Sequence, residues 1–200
     1  ILGSKGKGGN RKRLNRELDE MKRLGVTNLR ILVGSDGEEG IKWKASPVLQ
    51  PSPGVYNDTI LDGLDYLMLQ LHRRGMIAVL YLNNSWEWSG GYGFYLENAG
   101  GGKAQQPNEV GYSAYVKYAS QFATNQKAQQ LFFNHVNFIL KRTNRYTGKP
   151  YTDDPAIMSW QICNEPRAFD KAALPQFEAW LAKAASIMKS IDKRHLVSIG

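Results

Sequence analysis

The stretch MIAVLYL, residues 76–82, constrains the fold of this chain more than any other. Seven consecutive apolar residues leave no polar face for water, which is the mark of a parallel strand covered on both sides. Parallel strands need long crossover connections, usually helices. The flanking sequence supplies them in order. Asn10 is placed to cap a helix whose apolar stripe is Leu14, Leu18, Met21 and Leu24, with Gly25 in the left-handed closing position. TNLRILVG (27–34) then sets Leu29, Ile31 and Val33 on one face and Arg30 and Leu32 on the other, as a strand does. Asn57 or Asp58 caps a second helix, striped by Leu61, Leu64, Met68 and Leu71 and ended by Gly75. Helical patterns follow around 112–122 and over 125–146, the latter with Leu131, Phe132, His135, Val136, Ile139 and Leu140 inward. AIMSWQIC (156–163) is the third strand, and Pro175 opens a helix striped by Phe177, Leu181, Ala184 and Met188. HLVSIG (195–200) is a fourth strand. The prolines of 47–53 forbid regular structure there, and NNSWEWSGGYGFYLENAGGGK (83–103) is too rich in glycine for a helix and too aromatic for a passive linker.

This alternation predicts an α/β fold with a parallel sheet, either doubly wound or closed into a barrel of eight strands. No dinucleotide fingerprint follows any strand, and GSKGKGG (3–9) lacks the Lys-Ser/Thr ending of a phosphate loop. The barrel is therefore preferred. At 200 residues the chain is expected to be one domain, or part of one.

Other classes of function recede. The single cysteine, Cys163, allows no disulfide within the chain and no thiolate metal site. It sits in an apolar strand with no histidine beside it, so it reads as filler and not as a nucleophile. The net charge is +8. The cations of RKR (11–13), Lys22 and Arg23 alternate with Glu17, Asp19 and Glu20 on one helix, which describes a solvated face, and no nucleic-acid motif accompanies them. No apolar run is long enough for a membrane span, and no leader peptide is visible.

What remains is a set of polar groups at strand ends. Arg30, Ser35 and Asp36 come within or after the first strand. Asn83, Asn84, Trp86, Glu87 and Trp88 follow the second. Asn164, Glu165 and Arg167 follow the third, where Pro166 turns the chain away. In a parallel barrel these ends carry the chemistry. Carboxylates, amides and indoles suit a sugar polymer: aromatic rings stack on pyranose faces, amides bond hydroxyls, and one carboxyl group protonates the glycosidic oxygen while a second acts as nucleophile or base. Arg30 is expected to point into the barrel toward the strand-end acids.

WQICNEPR (160–167) resembles the acid/base motif of retaining glycoside hydrolases with (β/α)8 barrels, in which Asn-Glu-Pro closes the fourth strand. Together with GGNRKRLNRELDEMKRLGVTNLRILVGSDG and PSPGVYNDTILDGLDYLMLQLHRRGMIAVLYLNNSWEWSGGYGFYLENAGG, it is similar to endo-β-1,4-mannanases of glycoside hydrolase family 5 over nearly the whole length. The resemblance implies a (β/α)8 TIM barrel of which the chain covers the end of strand 1 through strand 5. It implies Glu165 as general acid/base, Asn164 bonding the sugar 2-hydroxyl, and Arg30 keeping a nucleophile ionised. Arg167, Trp86, Asn84 and Trp88 are expected to contact substrate. The nucleophile of that family is a glutamate on the seventh strand, so it is expected beyond residue 200, with Asp36 or Glu87 as the alternative. The implied reaction is retaining endo-hydrolysis of β-mannan by a secreted, periplasmic or cell-surface protein, monomeric when complete, with no metal, organic cofactor, nucleic-acid or membrane partner. Two rivals stand beside it. One is a cellulase or other β-glucanase on the same barrel. The other is a sugar-binding protein without catalysis that uses Trp86, Trp88, Tyr92 and Tyr95 as a stacking surface.

Overall fold

Four short strands, β1 (Asn28–Leu32), β2 (Ile77–Tyr81), β3 (Ile157–Gln161) and β4 (Leu196–Ser198), pair in the order β1-β2-β3-β4. All three pairings are parallel. The computed structural model describes residues 1–200. The strand order never reverses, so the sheet has no switch point of the doubly wound kind. It is the order of a barrel wall.

The helices are α1 (Arg11–Arg23), α2 (Asp58–Arg73), α3 (Gly91–Asn98), α4 (Pro107–Val110), α5 (Tyr112–Ala119), α6 (Gln126–Leu140) and α7 (Leu174–Ile191). The expected caps are in place. Asn10 accepts from the Arg13 amide, and Asn57 accepts from Thr59 and Ile60. Gly25 and Gly75 take the positive φ that closes a helix (86° and 61°). The helices cover one face of the sheet: Ala78, Leu80, Trp160 and Ile162 are buried in a core shared with Leu18, Met68, Val136, Trp180 and Met188. Cover of β2 on both faces is corrected, because Ile77 and Val79 are only half-buried.

Two further expectations fail. The segment 83–103, read as too glycine-rich for a helix, contains α3, whose Tyr92, Phe94, Tyr95 and Leu96 are buried. Apolar burial outweighs the poor helix propensity of its glycines. The helix predicted over 125–146 stops at Leu140. Beyond it Arg142 and Arg145 both turn to Asp65 of α2, a fully buried carboxylate. Asp65 accepts from Arg142 (2.8 and 2.6 Å), from Arg145 Nε (3.1 Å) and from the Tyr151 hydroxyl (2.7 Å). A buried carboxylate demands such partners, and supplying them breaks the helix. Of the mixed charges of α1, Arg13–Glu17 and Arg23–Glu20 are surface pairs as expected, but Arg11 is corrected: it turns inward and donates to Asp62 of α2 and to the Tyr146 hydroxyl, both at 2.7 Å. No helix is long and apolar enough to cross a membrane.

Candidate active site

The β2–β3 ladder does not stop where the strands do. Asn84 and Asn164 form one more parallel bridge, with the Asn164 amide donating to Asn83 O at 2.8 Å and the Ser85 amide to Asn164 O at 3.2 Å. This extension brings the residues after β2 against those after β3. Ser85, fully buried, fastens the turn: its hydroxyl donates to Glu165 O at 2.7 Å and accepts from the Arg167 amide at 3.1 Å. Between those two contacts Glu165 has φ +46°, a left-handed backbone that a residue with a side chain rarely adopts. The result is a carboxylate thrust out of the sheet end, with 58% of its side chain exposed.

Trp86, Glu87, Trp88, Asn164 and Glu165 line one open pocket at this end of the sheet. The Trp86 indole N–H donates to Glu165 Oε2 at 2.7 Å. The Arg167 guanidinium lies 4.0 Å from the same oxygen and 5.4 Å from the Trp86 ring centre. One carboxylate oxygen is thus held by a donor while the other is left for chemistry. Trp86 is itself stacked on buried Tyr115 (5.9 Å, 14°) and met edge-on by Phe169 (5.3 Å). Arg30 reaches across the sheet. Its Nε donates to Gln161 Oε1 at 2.6 Å, its Nη1 to Asn164 Oδ1 at 2.9 Å, and its guanidinium lies 4.2 Å from the Tyr81 ring centre. Asn164 passes the orientation on, donating from Nδ2 to Asn84 Oδ1 at 3.1 Å. Arg30, Asn164 and Asn84 thus form one hydrogen-bonded row.

Glu165, Asn164, Trp86, Trp88, Arg167 and Arg30 therefore converge, and the remaining expectations are corrected. Asn84 is completely buried, so it orients Asn164 from behind and touches no substrate. The partners of Arg30 are two amides and a ring, not the strand-end acids. Tyr92 (1% exposed) and Tyr95 (0%) are core residues and offer no stacking surface. Asp36 is equally unavailable as a second carboxylate. It accepts from Gln50 at 3.1 Å and from Tyr95 at 3.4 Å inside the protein, and burial pushes its carboxyl up to about 7. Glu87 does reach the pocket wall, although its Oε2 is shielded and has no donor. Burial also pushes the Cys163 thiol up to about 12, in keeping with a filler. Ser85, Gln161, Tyr81 and Tyr115 carry site geometry that the sequence reading did not assign. Only Gln161 left a signal, as one of two polar residues, with Ser159, inside an apolar strand.

A second hollow, mostly apolar, lies beneath β1 among Leu18, Ile31 and Leu64, away from these groups. The chemistry belongs to the pocket at the strand ends.

A family model described as GH family 5 beta-mannosidase-like matches residues 1–200. The chain belongs to glycoside hydrolase family 5. Among its relatives in the family are a mannan endo-1,4-beta-mannosidase 1 of Arabidopsis thaliana, 38% identical over 76% of this chain and 33% of that protein, and a mannan endo-1,4-beta-mannosidase 4 of rice (Oryza sativa subsp. japonica), 36% identical over 76% and 31%. A family 5 mannosidase from Rhizomucor miehei, solved with mannosyl-fructose, superposes with a TM-score of 0.89 at 35% identity, over 100% of this chain and 48% of that one. An endo-beta-1,4-mannanase from Thermotoga petrophila superposes with a TM-score of 0.74 at 26% identity, over 93% and 39%. The parallel sheet and its helices are thus part of a family 5 (β/α) barrel, and the chain spans about a third of the length of these two plant relatives.

Proposed function

We propose that this family 5 chain carries the acid/base half of a retaining endo-hydrolase of β-1,4-linked mannan. The observation that carries the reading is the arrangement around Glu165: an exposed carboxyl at a barrel strand end, gripped on one oxygen by the Trp86 N–H, with Arg167 beside it. In the first step Glu165 gives its proton to the departing glycosidic oxygen as a nucleophilic carboxylate attacks the anomeric carbon. In the second step Glu165 takes a proton from the incoming water. Asn164, fixed by Arg30 and Asn84, bonds the sugar at the cleavage point, and Trp86 and Arg167 meet the departing side. Trp88, in the lining of the same pocket, is the further sugar contact. The nucleophile is assigned to none of residues 1–200. The names of the plant relatives support mannan as the substrate over cellulose. Because mannan is a large extracellular polymer, secretion is part of the proposal.

A second reading follows from the family description and the Rhizomucor miehei match, both named for mannosidase: removal of single mannose units from chain ends. Product analysis separates the two. Internal cleavage gives mixed oligosaccharides from mannohexaose and a rapid fall in galactomannan viscosity; end cleavage gives mannose alone. In either case Glu165→Gln should lower turnover of β-mannan by a factor of order 10² or more. Near-normal turnover in that variant would remove Glu165 from its role, and release from cellulose in place of mannan would remove the substrate.

A further inference from the structure

Tyr112 opens α5 and is 58% exposed, although Tyr115 and Tyr118 of the same helix are buried (1% and 7%). Its ring lies 6.4 Å from that of Trp86, tilted by 30°. The backbone delivers it there on purpose-built geometry. Gly111, which joins α4 to α5, has φ 82° and ψ 158°, a conformation essentially closed to residues with side chains. The sharp turn leaves Tyr112 at the protein surface, on the flank of the aromatic group that ends in Glu165. An exposed tyrosine offers a flat apolar face and a polar tip at small cost in side-chain order, which suits it to binding a sugar face.

We propose that Tyr112 is a stacking platform for a mannosyl unit on the leaving-group side, next to the unit met by Trp86 and Arg167. Trp86 joins them, with Tyr112 6.4 Å and the Arg167 guanidinium 5.4 Å from its ring and Glu165 on its N–H. The consequence is selectivity for substrates with at least two sugar units beyond the scissile bond. The inference rests on the hydrolytic function proposed above.

The test compares two substrates on the complete protein. In an aryl β-mannoside, or an aryl β-mannobioside if attack is internal, the aryl group alone fills the leaving side. Mannohexaose can reach Tyr112. Tyr112→Ala should lower kcat/KM for mannohexaose about three- to tenfold, mainly through KM, and leave the aryl substrate unchanged. Tyr112→Phe should behave like the unmodified protein, because the ring face is kept. An equal loss on both substrates would overturn the proposal, since the ring would then only prop Trp86. If the unmodified protein hydrolyses neither substrate, titration of its tryptophan fluorescence with mannohexaose decides. Binding weakened by Tyr112→Ala would keep the platform and retire hydrolysis. Absent binding, or binding indifferent to the substitution, would retire the platform.

Discussion

Asp36 and His135 make the acid side of this protein's stability curve unusual, and Asp36→Asn exposes how. Asp36 is sealed under Tyr95 and Gln50, with the half-buried Lys44 ammonium nearby, and its carboxyl rises from 3.8 to about 7. A raised carboxyl favours the protonated native state. Below pH 3.8 the folded and unfolded chains are both protonated and the group is neutral to stability. As pH rises, the unfolded chain ionises and the native one does not, so stability falls until about pH 7. At about 1.4 kcal/mol per pH unit, the full loss is about 4 kcal/mol. His135 works in the opposite sense. It is fully buried, with Nε2 against Val33 O at 2.8 Å and Nδ1 against the Tyr56 hydroxyl at 3.2 Å, and burial pushes it from 6.5 down to about 4. Its contribution is complete above pH 6.5 and drains away on acidification to pH 4, by about 3 kcal/mol. Between pH 4 and 6.5 the two slopes nearly cancel. Asparagine keeps the shape of Asp36 and an oxygen for Gln50 and turns an NH2 to the Tyr95 hydroxyl, a constant change, so the pH-dependent part of the difference reports the titration. Urea unfolding of both proteins at half-unit steps from pH 4 to 8 gives a difference in which every other carboxylate drops out. That difference should grow in favour of Asp36→Asn by about 1.4 kcal/mol per pH unit up to pH 7, then level off. A difference independent of pH would mean that Asp36 titrates alike in both states. A difference of opposite sign would mean that Lys44 holds Asp36 as an anion, and either result refutes the argument.

The remaining expectations are simpler. Trp86→Phe keeps the stack on Tyr115 but removes the donor to Glu165; kcat should fall about tenfold or more with the melting temperature unchanged, and an unaffected kcat would show the bond to be incidental. Asp65→Asn leaves Arg142 facing a neutral group in the interior, while Arg145 keeps its surface pair with Asp58, and should cost about 3 kcal/mol in urea unfolding. A loss below about 1 kcal/mol would show that water takes over those contacts.

The wall of the barrel was legible because its strands are apolar and its helices carry ordinary stop signals. Asn10, Asn57, Gly25 and Gly75 each do locally what their chemistry predicts. Helix α3 was not legible, because Gly91, at φ +54°, opens it by close contact with the site loop. A β-carbon on Gly91 would stand 2.5 Å from Trp86 O and 2.7 Å from Asn84 O, so only glycine lets α3 lie against the site loop. The early end of α6 was hidden for a related reason: what stops it is Asp65, distant in sequence. Within the site, the groups at strand ends could be read from their position. Burial could not, so Asn84 and Asp36 looked available when they are enclosed. Ser85 gave no sign at all, since a serine after two asparagines says nothing of a hydroxyl that holds two backbones at once.

The left-handed backbone at Glu165 has a bearing on descent. Glycine or asparagine would occupy that geometry with about 1 kcal/mol less strain. Random drift should therefore pull position 165 away from glutamate in any lineage freed from its reaction. A chain with glutamate there carries the less comfortable residue, and the contacts that its carboxylate makes, with the Trp86 N–H and Arg167, are those of the site. A descendant that had become a mere sugar binder would be recognised by relaxation at this one backbone position before any change in its fold.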